Sequence, residues 1–264
     1  SLSKVLMAGA PVPYDLLRSM VDILPPEGKV FTPYGATESL PVASIDNNEI
    51  LSETMGLSRI GKGTCVGYSL PGVEIKIIEL SDDVIERFDK CNTLGTNIIG
   101  EIIVKGGVVT KAYMNNAKET SLAKIQDGNS FWHRMGDLGY KDEKGRLWFC
   151  GRRAHRVVLD SKTLYSVPCE AIVNEHPDVY RSALVAVTTP DDKVLPVLIL
   201  EPTHHFNGDE KKLLNEALEL SEKSQVTDSI KHFLIHKSFP VDIRHNAKIF
   251  REKLSIWAQQ QMYP

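Results

Sequence analysis

Asp137 and three arginines, Arg152, Arg153 and Arg156, bracket residues 136–157 and could together hold a polar ligand. Two apolar-aromatic runs flank Asp142-Glu143-Lys144-Gly145. Asp at the first position of a turn and Gly at the last predict a tight hairpin. This ribbon sets the acid at one end and the basic cluster at the other. A carboxylate accepts from two vicinal hydroxyls, and guanidinium groups pair with phosphate oxygens, so the chemistry suits a nucleotide. On these residues alone, an exposed charged hairpin explains the pattern equally well.

Two more stretches shift that balance: Tyr34-Gly35-Ala36-Thr37-Glu38 upstream and Arg244-His245-Asn246-Ala247-Lys248-Ile249 near the C-terminus. In this order, and over essentially the whole chain, the three sets resemble the adenylate-forming (ANL) superfamily of AMP-dependent synthetases and ligases. The resemblance implies a nucleotide site in which the backbone at Gly9 and Ala10 and the ring of Tyr34 lie beside adenine, with Gly35 in the same binding motif. It implies that Thr37 contacts the α-phosphate, Glu38 reaches Mg2+, Asp137 holds the ribose hydroxyls, and Arg152 reaches ribose and phosphate. Lys248 would bridge the acid's carboxylate and the phosphate. ATP and Mg2+ are then the cofactors, and Thr37, Glu38 and Lys248 the catalytic residues. Magnesium prefers carboxylate and phosphate oxygen, which suits a Glu beside a Thr hydroxyl. Taken singly, Glu38 reads as a solvated loop acid and Lys248 as an exposed lysine at a helix start. A helix dipole disfavours a cation there, which argues that Lys248 is kept for chemistry. Tyr140 and Phe149 read as packing residues.

The elements that must position these groups follow from composition and periodicity. At 264 residues the chain exceeds the usual single-core size, so two domains are expected. A net charge of −3 supplies no field for nucleic acid, and no apolar run is long enough to span a bilayer. Cys65, Cys91, Cys150 and Cys169 form no Cys-x-x-Cys pair, which favours reduced thiols in a cytoplasmic protein. Gly56-Leu57-Ser58-Arg59-Ile60-Gly61-Lys62-Gly63 nearly spells a phosphate loop, but Gly63 stands where a hydroxyl is required.

Val5 and Leu6 lead into Ala8-Gly9-Ala10-Pro11 and an amphipathic helix carrying Leu16, Leu17, Met20, Ile23 and Leu24. A strand end at residues 29–31 precedes the Tyr34 motif, the place where open α/β sheets bind ligands. Residues 55–150 read as a small β-rich subdomain. Val73, Ile75 and Ile77 alternate with polar residues, a second strand covers 100–106, and a short helix covers 115–123. Beyond residue 152, a helix starting at Pro168-Cys169-Glu170 has Pro and Glu placed for a first turn. Strands at 182–187, 194–200 and 233–239 and helices at 210–223 and 247–259 complete an α+β unit. The expected fold is α/β plus α+β. Residues 1–152 would be the C-terminal part of an ANL large domain, with a sheet edge and the β-rich subdomain, and 153–264 a lid domain.

The family's N-terminal phosphate loop and acid pocket are not in this sequence, so the chain reads as a C-terminal half that is inactive alone. Most relatives carry an acid or lysine hinge two residues after Arg152; here that position is Ala154. Leu159-Asp160-Ser161-Lys162-Thr163-Leu164-Tyr165 replaces a glycine-containing loop that would admit pantetheine. Together with Cys150-Gly151-Arg152-Arg153-Ala154-His155-Arg156-Val157, these features look like the β-lactone synthetase branch of bacterial olefin biosynthesis. That branch implies adenylation of a long-chain 2-alkyl-3-hydroxy fatty acid, followed by attack of the substrate's own hydroxyl. A fatty acyl-CoA ligase, using CoA or a carrier protein, is the alternative; a non-catalytic nucleotide-binding module is the alternative of another class. The partners implied are the small-molecule acid and ATP, with a second copy of the chain or olefin-pathway enzymes as candidate protein partners.

Overall fold

Side chains that alternate between core and solvent build most of the first part of the chain. The structure, a computed structural model, describes residues 2–242 and 248–264. The chain divides into two units, Ser1–Gly56 with Thr64–Arg153, and Leu57–Gly63 with Ala154–Pro264.

The first unit is a nine-stranded sheet. Its strands are β1 (Lys4–Leu6), β2 (Lys29–Ala36), β3 (Ser39–Asp46), β4 (Thr64–Ser69), β5 (Val73–Ile78), β6 (Gly100–Gly106), β7 (Lys124–Asp127), β8 (Ser130–Lys141) and β9 (Leu147–Arg152). Their order is β1-β2-β3-β4-β9-β8-β6-β5, with β7 paired to β8. Only β1 and β2 run parallel; the other pairs are antiparallel. Val73, Ile75 and Ile77 point into the core with Ile102, Val104, Met135 and Leu147, while Glu74 faces solvent. This is the one-sided burial that a period of two predicts.

Two helices accompany the sheet, α1 (Tyr14–Asp22) and α2 (Ala117–Ala123). The Asn116 side chain caps α2 by accepting from the Glu119 amide at 3.1 Å. Helix α1 is amphipathic as expected, but it ends at Asp22 and buries less than its apolar residues suggest. Only Leu17 is buried, and Leu16 and Ile23 are largely exposed.

Residues 47–62 form an irregular helical run with π-helical turns at Ile50–Thr54 and Ser58–Lys62. The expected β-rich subdomain at 55–150 therefore loses Leu57–Gly63, which belongs to the second unit. The near phosphate loop is part of this helical run, ended by Gly61 and Gly63 at φ 84° and 95°, where a side chain would be strained.

The second unit holds a two-stranded hairpin, β10 (Val157–Val158) with β11 (Thr163–Leu164), and a three-stranded sheet of β12 (Val179–Thr188), β13 (Val194–Pro202) and β14 (His232–Ile235). Helices α3 (Ser166–Val173), α4 (Glu210–Glu222) and α5 (Arg251–Met262) cover it. Leu198 and Leu200 pack with Val173, Leu213 and Ala217, whereas Val197 and Ile199 pack with Leu254 and Ala258. The central strand β13 is thus buried on both faces, which explains its unbroken apolar run. Glu170 was expected to serve the first turn of α3. Instead its buried carboxylate takes a fork of hydrogen bonds from Arg251 at 2.7–3.1 Å and one from the Leu184 amide at 2.9 Å, tying α3, α5 and β12 together.

The last helix begins at Arg251, not near residue 247. Residues 244–247 of the C-terminal motif, including the expected helix start at Ala247, lie outside the described residues. Lys248 is exposed and precedes Ile249, which bridges Val241. It is not a helix-start residue, so the dipole argument for it fails. Among the described residues no helix is long and apolar enough to cross a membrane.

Candidate nucleotide-binding site

The turn Asp142-Glu143-Lys144-Gly145 forms as expected, with the Gly145 amide donating to the Asp142 carbonyl at 2.9 Å. Its strands, however, bring the two ends of the stretch together. Register places Asp137 directly opposite Arg152, not at the far end from it. Arg152 Nη1 lies 3.1 Å from Asp137 Oδ1 and donates to the Met135 carbonyl at 3.2 Å.

A third strand reaches the same point. Tyr34 and Gly35 belong to β2 itself, not to a loop beyond it, and only Thr37 and Glu38 form the two-residue turn into β3, closed by the Ala36–Ser39 pair. The Tyr34 hydroxyl donates to Asp137 Oδ2 at 2.6 Å, and its ring lies 6.1 Å from that of Phe149. Gly35 is required sterically, since a Cβ there would sit 2.5 Å from the Ser39 carbonyl oxygen.

Burial dominates the electrostatics of Asp137. Desolvation pushes its carboxyl up to about 6, although Arg152 and the Tyr34 hydrogen bond pull the other way. The Tyr34 phenol is raised well above its ordinary value by burial and by the neighbouring Asp137 charge. Arg152 is within ion-pairing distance of Asp137 Oδ1, yet that buried oxygen accepts no hydrogen bond. An ionised acid with one unsatisfied oxygen is a ready acceptor for ligand hydroxyls.

Glu38 lies beside this cluster. Its carboxylate accepts from the Tyr113 hydroxyl at 2.8 Å, and its carbonyl accepts from the Thr110 amide at 2.8 Å. Burial would raise the Glu38 carboxyl, but the Tyr113 hydrogen bond, a backbone hydrogen bond and the Arg152 charge hold it below the ordinary range. It therefore stays ionised, as a magnesium ligand must. Among the described residues no group of three or more His, Cys, Asp or Glu side chains could hold a metal. One carboxylate suits magnesium that arrives with phosphate oxygens and water completing its shell.

Lys124 Nζ donates to the Thr110 carbonyl and lies 3.1 Å from His133 Nδ1. Burial lowers both, Lys124 to about 8 and His133 to about 4. Behind the site, Arg134 and Glu101 form a buried ion pair at 2.6 Å. Arg134 also donates to the carbonyls of Ser81, Asp83 and Leu122, which fixes β8 three residues before Asp137.

Of the sequence-predicted residues, Tyr34, Asp137 and Arg152 meet directly, and Glu38 is electrostatically coupled to Arg152. Thr37 is exposed beside Glu38. Gly9 and Ala10 form the bend after β1, where Gly9 has φ 105°. Lys248 belongs to the second unit. Tyr113, Lys124 and His133 were not singled out from the sequence. Tyr113 and Glu38 are 75 positions apart, and no local pattern links them.

Known proteins resemble this chain in sequence and in fold. A family model described as AMP-binding enzyme matches residues 1–114. The chain is 40% identical over 268 aligned residues to an olefin β-lactone synthetase of Stenotrophomonas maltophilia, an alignment covering 99% of this chain and 48% of that protein. It is 44% identical over 260 residues to the olefin β-lactone synthetase of Xanthomonas campestris pv. campestris, covering 96% of this chain and 46% of that protein. The chain thus spans about half the length of these curated relatives. Among solved structures, the amide bond synthetase McbA of Marinactinospora thermotolerans superposes with a TM-score of 0.75 at 22% identity, over 97% of this chain and 47% of that one, a likeness of fold.

Proposed function

This chain belongs to the AMP-binding, adenylate-forming enzymes, and from that premise we propose that it is the C-terminal half of an ATP-dependent, AMP-forming acid ligase that makes a β-lactone. The single observation that supports this most is the convergence of Tyr34, Asp137 and Arg152 from three strands, with one Asp137 oxygen left unsatisfied. In this reading the first unit is the end of the large adenylating domain and the second is the lid. The buried thiols of Cys65, Cys150 and Cys169 support a cytoplasmic enzyme in this reading.

Asp137 accepts the ribose hydroxyls, each charge-assisted bond contributing about 1.5–3 kcal/mol. Arg152 reaches ribose and phosphate, Tyr34 and the backbone at Gly9, Ala10 and Gly35 flank adenine, and Thr37 meets the α-phosphate. Glu38 would hold the Mg2+ that accompanies ATP, which would offset the charge of the phosphates. The substrate carboxylate attacks the α-phosphorus and pyrophosphate leaves. Two anions must approach, and Lys248 supplies the cation between them; placed charge of this kind is worth roughly 10²–10³-fold in rate.

The second step is intramolecular. The substrate's 3-hydroxyl oxygen attacks the acyl carbon and its proton passes to water, while the acyl carbon–oxygen bond to the phosphate breaks and its electron pair leaves with AMP. Proximity supplies this nucleophile, so no thiol donor is needed. Ala154 in place of a charged hinge, and a β10–β11 turn without glycine, fit that economy.

The test is mass spectrometry of products from the full-length enzyme given a 2-alkyl-3-hydroxy fatty acid, ATP and Mg2+ without CoA. A β-lactone with stoichiometric AMP is expected. Acyl-adenylate alone, converted to acyl-CoA once CoA is added, would show a CoA ligase instead.

A further inference from the structure

We propose that Tyr113 is a positioning residue that fixes the Glu38 carboxylate for its metal–polyphosphate partner; this deepens the nucleotide reading above and rests on it. Glu38 sits in a two-residue turn beside an exposed Thr37, where a carboxylate would be free to swing among rotamers. The segment around 110–113 removes that freedom at two points. The Thr110 amide holds the Glu38 carbonyl at 2.8 Å, and the Tyr113 hydroxyl holds the carboxylate Oε1 at 2.8 Å.

The bracket is itself anchored. The Tyr113 amide donates to Thr120 Oγ1 at 3.0 Å, and the Thr120 hydroxyl donates to the Asn116 carbonyl at 2.8 Å at the start of α2. On the other side Lys124 Nζ donates to the Thr110 carbonyl. The choice of donor matters chemically. A phenol hydroxyl orients the carboxylate without neutralising it, leaving its full charge for a cation. Lys124, which could have neutralised it, is spent instead on a backbone carbonyl and on the His133 ring. Holding a ligand group in its productive geometry before binding lowers the entropy lost on binding.

The experiment uses the full-length enzyme and α,β-methylene-ATP, titrated with and without Mg2+, with Mn2+ electron paramagnetic resonance as a direct probe of the ion. Tyr113→Phe is expected to bind the metal-free analogue as the wild type does. Its midpoint for Mg2+ should rise roughly tenfold, the size of one hydrogen bond to a charged group, and bound Mn2+ should fall in step. An unchanged midpoint overturns the proposal. So does an equal loss with and without metal, which would mark Tyr113 as a support of the fold alone. If the wild type binds the analogue under neither condition, the nucleotide reading fails and takes this inference with it.

Discussion

Asp137 is the residue on which the site turns, because it is both buried and expected to carry charge. Its carboxyl titrates near 6 in the folded protein against an ordinary value near 3.8, with burial the main cause. A raised acid pKa means that the folded state holds the proton more tightly. The charged form therefore costs stability, a cost that is absent well below pH 4, grows between about pH 4 and 6, and is nearly complete by neutral pH. The shift corresponds to about 3 kcal/mol at neutral pH. Asp137→Asn keeps the shape and removes the charge, so its denaturation midpoint should exceed the wild type's at pH 7.5, with the gap closing towards pH 4. Equal midpoints at pH 7.5 would mean that Arg152 and Tyr34 offset the burial in full. A buried acid kept at such expense is better explained by a ligand than by the fold.

At the scale of elements, β8 and β9 carry the site and the Arg134–Glu101 pair holds them to β6. Both side chains are at most 2% exposed, so deleting one partner strands the other's charge. Arg134→Met should cost about 3–5 kcal/mol in chemical denaturation, and adding Glu101→Gln should recover part of that loss. Some of these elements were plain in the sequence. Residues 100–106 form a strand with the expected bounds, the alternation at 73–77 faces the core as read, and the Asp142–Gly145 turn closes the hairpin. What failed depends on contacts distant in sequence. The 47–62 run is neither a clean period of 3.6 nor of two, because π-helical turns break it. Glu170 looked like a dipole residue because its partner Arg251 is 81 positions away. The hairpin residues were legible, but their meeting was not: only the register shows Asp137 and Arg152 face to face. Tyr113 had no local signal at all.

For the whole molecule, the chain spans about half the length of its curated relatives, and the ligase activity proposed above is that of a full-length enzyme. The central claim is narrower and belongs to this chain: side chains from β2, β8 and β9 and the turn after β2 close on one nucleotide. The most direct measurement is a crystal structure of the full-length protein with AMP bound. The account predicts ribose hydroxyls within hydrogen-bonding distance of the Asp137 carboxylate, adenine against the Tyr34 ring, and the phosphate beside Thr37 and Arg152. AMP bound elsewhere, with Asp137 still paired only to Tyr34 and Arg152, would contradict it.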